Sequence, residues 1–346
     1  MGQVGLSRAF AAFTAAGTIG IMAHMMLIDP LAWAAMRVLS GFCIAGCYTI
    51  IESWLQAKVT NETRGRTMAV YRVVDIGGSL AAQMVISVLE PASYIAYNLL
   101  AIVCCAALLP LTLTTIKQPE IPAAPRLKPA LAWTRSPLAA AGVLVAGLTT
   151  AAYRMVGPIY GVEVGLSTDQ IAWFLAAFVL GGALAQYPAG WLADRYDRRW
   201  VLIWLSVGGI AASGITLLLS GSGATAVILS SAIFGFMTFP IYSVSTAHAH
   251  DFAESHERIE LSAALMFLYA LGAIASPFLS SVLIEAFGPQ AMLIFMALAH
   301  AALIGFGLIR MRARPSMEAR TRYIYAPRTS FQIGRLLGST RERDDT

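Results

Sequence analysis

Charge is scarce in this sequence. Of its 346 residues only 12% are charged while 58% are hydrophobic, and the mean hydropathy is +0.68. Soluble globular chains carry about 25% charged residues, so this one lacks the polar surface to face water and a bilayer is its natural solvent. A nucleic-acid-binding or cytosolic-enzyme reading is thereby excluded. Also absent are a paired-histidine zinc motif, a nucleophile elbow and a phosphate-cradling loop, which leaves a membrane enzyme without chemistry and implies no cofactor and no resident metal. Cysteine is limited to Cys43, Cys47, Cys104 and Cys105. Cys43 and Cys47 lie one helical turn apart in an apolar run and read as small packing residues.

What is present is a series of apolar runs, each long enough to cross a bilayer as a helix. Ten are expected, at 9–28, 31–57, 67–89, 93–115, 137–160, 170–193, 200–220, 224–247, 261–286 and 290–310. They lack the period-two alternation of a barrel, so the fold class is an all-α integral membrane protein. The first run is too long for a signal peptide and more follow it. Basic residues fall in alternate loops: Arg8, Lys58, Arg64, Arg66, Lys117, Arg126, Lys128, Arg135, Arg195, Arg198, Arg199 and Arg258, then nine arginines between Arg310 and Arg343. The loops with Asp29, Glu90, Glu163, Asp169 and Glu285 hold no Lys or Arg. By the positive-inside rule the basic side is cytoplasmic, so both termini are inside and the number of spans is even. This distribution accounts for the net charge of +5 without an anionic partner.

The proline-rich, basic stretch 117–136 reads as a cytoplasmic linker between residues 1–116 and 137–311. Residues 312–346 read as a disordered basic tail held near anionic lipid, in preference to a regulatory domain. Laying 41–84 over 235–278, at an offset of 194 without gaps, pairs Gly41 with Gly235, Phe42 with Phe236, Tyr48 with Tyr242, Arg64 with Arg258, Ala69 with Ala263 and Gly78 with Gly272. A same-orientation repeat about a central linker is how two-bundle transporters are built. The same offset places the start of the first half about 57 residues before Met1, room for two spans. The expectation is a twelve-helix architecture of which ten helices, four and six, are present.

Residues Gly190-Trp191-Leu192-Ala193-Asp194-Arg195-Tyr196-Asp197-Arg198-Arg199 resemble the signature loop of the major facilitator superfamily, with Asp197 where the family prefers glycine. Arg37 with Gly41 and Gly46 resembles its second conserved helix. Glu52-Ser53 with Arg64-Gly65-Arg66 is similar to its bacterial YcaD-type branch. The resemblance implies a two-bundle fold, a bacterial inner-membrane location and a conformational clamp at Gly190, Asp194, Arg195, Arg198 and Arg199. In that clamp Gly190 permits close helix approach, and Asp194 pairs with arginines and caps a neighbouring helix. Asp75-Ile76-Gly77-Gly78 meets the family's antiporter motif without its proline, so an antiport direction is unsupported.

Five ionisable residues fall inside expected spans: Arg37, Glu52, Arg72, Asp75 and Arg154. Each costs about 2.5–3.5 kcal/mol at mid-bilayer and so demands a partner or a wet cavity. Glu52, Arg72 and Asp75 are expected at one depth on neighbouring helices, and Arg72, Asp75, Ser79 and Gln83 form a polar stripe at helical spacing. Two roles stay open for the carboxylates: taking up a proton on the substrate pathway, or a static ion pair that fixes packing. Arg37 and Arg154 belong to the outer halves of their spans, where an arginine could bind an anionic substrate group or pair with Glu163 at the rim, the latter being the expectation for Arg154. Tyr153, Gly157-Pro158, Tyr160, Pro240, Tyr242, Tyr269 and Pro277 supply bends and rings near a cavity. His248, His250 and His256 suit a pH-responsive or interfacial place better than a metal. The function expected is secondary active transport of a small solute by alternating access, with the proton as candidate coupling ion. Its partners are that solute and lipid, not nucleic acid, and it is expected to act as a monomer. A non-transporting remnant is the alternative.

Overall fold

The structure, a computed structural model, describes residues 5–58, 64–90, 93–113, 127–313 and 323. The expected linker residues 117–126 and the tail beyond 313, Tyr323 excepted, lie outside the described residues, as do the side chains of Lys58, Arg64 and Arg66. Among the described residues every regular element is a helix. In order they are α1 (Leu6–Met26), α2 (Pro30–Lys58), α3 (Arg64–Val88), α4 (Tyr94–Ala106), α5 (Leu109–Thr112), α6 (Pro129–Arg135), α7 (Pro137–Ala151), α8 (Gly157–Glu163), α9 (Thr168–Arg195), α10 (Arg198–Leu219), α11 (Ala224–Thr238), α12 (Pro240–His250), α13 (Arg258–Phe287) and α14 (Ala291–Ala313).

Nine spans among these residues are long and apolar enough to cross a bilayer. The expected third span is present as α3, whose 25 residues would reach across. It is not counted among the nine because its Arg72, Asp75, Ser79 and Gln83 make it more polar than the others. The expected fourth span bends between α4 and α5, where Pro110 restarts the helix. Pro158 and Pro240 sit at breaks: a π-helical turn over Ala152–Val156, and the junction of α11 and α12. A proline ring removes an N–H and crowds the preceding turn, and the widened turn absorbs both. Pro188 and Pro277 instead lie within continuous helices.

The chain divides into two compact units, Met1–Asp75 with Val88–Ala124, and Ile76–Ser87 with Pro125–Thr346. The division at Ala124 falls inside the expected linker. That the later half of α3 joins the second unit was not foreseen; Ile76, Leu80 and Ile86 pack on that unit's core. In the first unit α1 packs on α2 and α4 around Leu6, Ala9, Phe10 and Ile50, and the Phe13 ring lies over Gly46. In the second unit α7 packs on α13, and α9 on α11. Both pairs approach through reciprocal glycines. Gly147 abuts the Tyr269 carbonyl while Gly272 abuts that of Leu144, and Gly181 abuts Ala232 while Gly235 abuts Phe178. Lipid gives helices no hydrophobic reason to associate, so close backbone approach through small residues supplies the attraction. Gly41 and Gly78, the repeat partners of Gly235 and Gly272, have no described neighbour within 4 Å of the Cβ position.

Candidate functional site

The first unit brings Glu52, Arg72 and Asp75 together. Glu52 is 3% exposed on α2, and Arg72 and Asp75 are half-buried on α3. The Arg72 guanidinium lies 4.0 Å from Asp75 and 4.9 Å from the Tyr71 ring centroid. Two tyrosines that the sequence reading did not single out as site residues complete the cluster. Tyr48 Oη donates to Asp75 Oδ1 at 3.1 Å, and Tyr71 Oη donates to Glu52 Oε1 at 3.2 Å. Each helix therefore carries a tyrosine four residues before an acid, and each hydroxyl crosses to the other helix's acid. That spacing, Tyr48/Glu52 and Tyr71/Asp75, was the available signal.

Ser79 and Gln83 lie further along α3, half-buried on the same face as Arg72 and Asp75, which the helical spacing predicts. Neither shows a described hydrogen bond. Arg37 is exposed on α2 and takes no described partner. Arg154 is likewise exposed, and the expected ion pair with Glu163 is not formed. Arg154 lies within the π-helical turn Ala152–Val156, which sets its bearing relative to Glu163 on α8 beyond it. Tyr242 is 3% exposed, its ring edge-on to Tyr269 at 5.1 Å. The offset of 194 maps the Tyr48–Asp75 hydrogen bond onto this Tyr242–Tyr269 contact, so at this one pair the repeat extends to a contact. Tyr153 and Tyr160 are buried in the second unit's core, where Tyr153 stacks between Phe174, Phe178 and Phe234.

A second cluster forms at the end of α9. Arg198 is 1% exposed, and its guanidinium donates to the Ala193 and Ala247 carbonyls, to Asp251 at 2.7 Å and to Asp194 at 3.2 Å. It thus joins α9, α10 and the end of α12. Asp251, missing from the sequence reading, is its most buried charged partner. The expected roles of the other residues are corrected here. Asp194 pairs with Arg198 but caps no helix; Asp197 caps α10, its Oδ1 accepting the Arg199 N–H at 3.0 Å. The departure from glycine is therefore a cap. Arg199 pairs with Asp197 at 2.7 Å, and Arg195 lies over the Trp191 ring. At Gly190 the three atoms nearest a Cβ position belong to the Tyr323 ring rather than to a neighbouring helix. Of the histidine trio, His250 contacts Ser262, His248 meets Phe252 edge-on, and His256 is exposed beside Glu254.

A groove of about 690 Å³ lies along α9 and α10, lined by Pro188, Leu192, Trp200, Trp204 and Met237 among others. Its walls are almost wholly apolar and its tryptophans exposed, the surface that lipid covers, and of the ionisable residues described above only Asp197 lines it.

The start of α13 is tied to α6 through Lys128–Glu260 at 2.7 Å and Arg135–Glu257 at 2.6 Å, with Glu254 also on Arg135. The hydrogen bond from Arg135 holds the Glu257 carboxyl below its ordinary value of 4.5. A depressed carboxyl stabilises the folded state above its ordinary pKa, and that contribution is lost as pH falls through the lowered value. Acidification below the ordinary carboxyl value of 4.5 is therefore expected to loosen α6. The reporter is Trp133, stacked on Phe306 at 6.0 Å, read as the fluorescence difference against Trp133→Phe. The transition should vanish in Glu257→Gln; an identical curve in that variant rejects the assignment.

The family model described as Major Facilitator Superfamily matches residues 139–338. An uncharacterised MFS-type transporter of Enterobacter sp. (strain 638) is 28% identical over 295 residues, covering 84% of this chain and 74% of its own. The uncharacterised MFS-type transporter YcaD of Escherichia coli O7:K1 is 27% identical over 300 residues, covering 85% and 76%. Among solved structures, a bacterial homologue of the human lysosomal transporter Spinster superposes with a TM-score of 0.62 at 14% identity, over 99% of this chain and 85% of its own. The transporter FucP gives 0.53 at 15% identity over 90% and 84%.

Proposed function

We propose, since the chain belongs to the Major Facilitator Superfamily and is a multi-pass membrane transporter rather than an enzyme, that it moves a small solute by alternating access with proton coupling at Glu52 and Asp75. The observation that carries this is the crossed pair of hydrogen bonds, Tyr48 to Asp75 and Tyr71 to Glu52, with Arg72 beside Asp75 and over the Tyr71 ring. A carboxylate accepts only; once protonated it also donates, so its tyrosine hydroxyl must re-orient. Protonation of Asp75 also removes a counter-charge from Arg72, leaving the guanidinium to attract an anionic group in a low dielectric. The same place in the second unit holds Tyr269, a phenol where the first unit has a carboxyl. Proton chemistry at this level therefore belongs to the first unit. On this reading residues 1–116 and 137–311 are the two bundles. The signature loop and both termini face the cytoplasm at a bacterial inner membrane, and the solute, lipid and the proton are the partners of a monomer.

The test uses proteoliposomes with an entrapped pH dye, screened against solutes under an imposed pH gradient. In Glu52→Gln and Asp75→Asn, gradient-driven uptake is expected to fall at least about tenfold with folded yield retained. Unchanged uptake in both variants assigns the pair a purely structural role and removes the coupling.

A further inference from the structure

The end of α9 has an occupant from the far end of the chain. Gln186, Gly190 and Asp194 are spaced by four and therefore line one face of that helix. Tyr323, which follows α14 in the chain, lies along this face. Its N–H donates to Asp194 Oδ1 at 2.7 Å and its Oη donates to Gln186 Oε1 at 2.9 Å. Its ring covers Gly190 so closely that an added Cβ would come 2.6 Å from it, and the ring supplies the three nearest atoms to that position. Gly190 is thus a seat cut for an aromatic ring. Asp194 accepts the Tyr323 N–H and the Arg198 guanidinium together, so the tail is bonded to the same carboxylate that ties α9 to α10.

From this geometry we infer that the Gln186–Gly190–Asp194 face is a docking notch for the chain's own C-terminal tail. Docked there, Tyr323 is a latch that restrains opening of the α9–α10 end. The notch stands on its own contacts, while the restraint rests on the alternating-access reading. Any motion parting α9 from α10 re-sorts the partners of Asp194, and with Tyr323 seated that motion must first break two hydrogen bonds and lift a ring from its seat. An undocked tail removes that requirement.

The Tyr323 amide that donates to Asp194 is the nitrogen of the Arg322–Tyr323 peptide bond, a trypsin site. Cleavage needs that amide released, so its rate reads docking directly. In full-length protein in nanodiscs, Tyr323→Ala and Gly190→Ala are each expected to raise the nicking rate at Arg322 about tenfold, the weight of these contacts on an opening equilibrium. The double variant should be no faster than either, because both remove one seat. Tyr323→Phe with Gln186→Leu gives the same logic without touching Gly190, at about threefold. Equal nicking in all these proteins overturns the notch. Hydrogen exchange at amides 195–199 then tests the restraint: several-fold faster exchange in Tyr323→Ala supports it, and unchanged exchange leaves a docked tail that restrains nothing. A wild-type protein that moves no solute would refute the transport reading alone, since neither measurement uses transport.

Discussion

Arg198→Ala is expected to destabilise the protein by about 3–5 kcal/mol, more than any other single charge removal at the end of α9. The guanidinium is 1% exposed and reaches from α10 to four acceptors at the ends of two other helices, α9 and α12. Its loss leaves Asp251, whose side chain is only 4% exposed, as a buried carboxylate without its strongest counter-ion, and takes from the Ala193 carbonyl its side-chain donor. Lysine is not an adequate substitute, because a single ammonium cannot span the fork of acceptors. The expected result is a large drop in apparent melting temperature and in monodisperse yield for Arg198→Ala, with Arg198→Lys little better. Arg198→Ala combined with Asp251→Ala should recover part of the loss, since the stranded charge is then gone as well. A double variant no better than the sum of the singles shows that the pair is not the source of the stability.

Alanine at Gly235 or Gly272 is the second large effect. At both positions a Cβ would overlap a backbone carbonyl of the facing helix, Phe178 on α9 and Leu144 on α7. Backbone cannot swing aside as a side chain can, so the helices must separate along their closest contact, at a cost of about 1–3 kcal/mol per site. Gly41 and Gly78 align with these two in the repeat yet have open space at the Cβ position. There alanine is expected to be neutral or to gain up to about 1 kcal/mol from helix propensity. Comparing the four apparent melting temperatures in one detergent checks the pattern. A loss at Gly78 equal to that at Gly272 rejects the steric account.

The ease with which the fold follows from the sequence has a physical origin. A bilayer demands that every backbone group be paired inside its own helix, so the spans announce themselves as apolar runs. Glu52, Arg72 and Asp75 emerged because charge inside such a run is expensive, and the face shared by Asp75, Ser79 and Gln83 follows from helical period alone. The tyrosines did not emerge in the same way. A phenol in an apolar span looks like packing, and only the crossing of Tyr48 and Tyr71 onto acids of the neighbouring helix separates them from Tyr153, which is core. Asp251 was hidden by distance, 53 positions from the arginine it serves. Asp197 looked like a defect in the signature loop because its capping role exists only once α10 has formed. Arg154 and Glu163 failed as a pair because proximity in sequence was given weight that the helical screw does not respect.

The π-helical turn at Ala152–Val156 carries a geometric consequence for the whole span. Each residue of an ordinary helix advances about 100° around the axis, so accommodating one more residue in a turn sets the angular position of everything beyond it. Tyr160 reaches its seat in the aromatic core, and Glu163 its outward bearing, only with the wide turn in place. Meanwhile α7 is gripped against α13 by Gly147 and Gly272 and cannot follow. Winding that turn tighter would pivot α8 about its own long axis, like a key in a lock held at the other end.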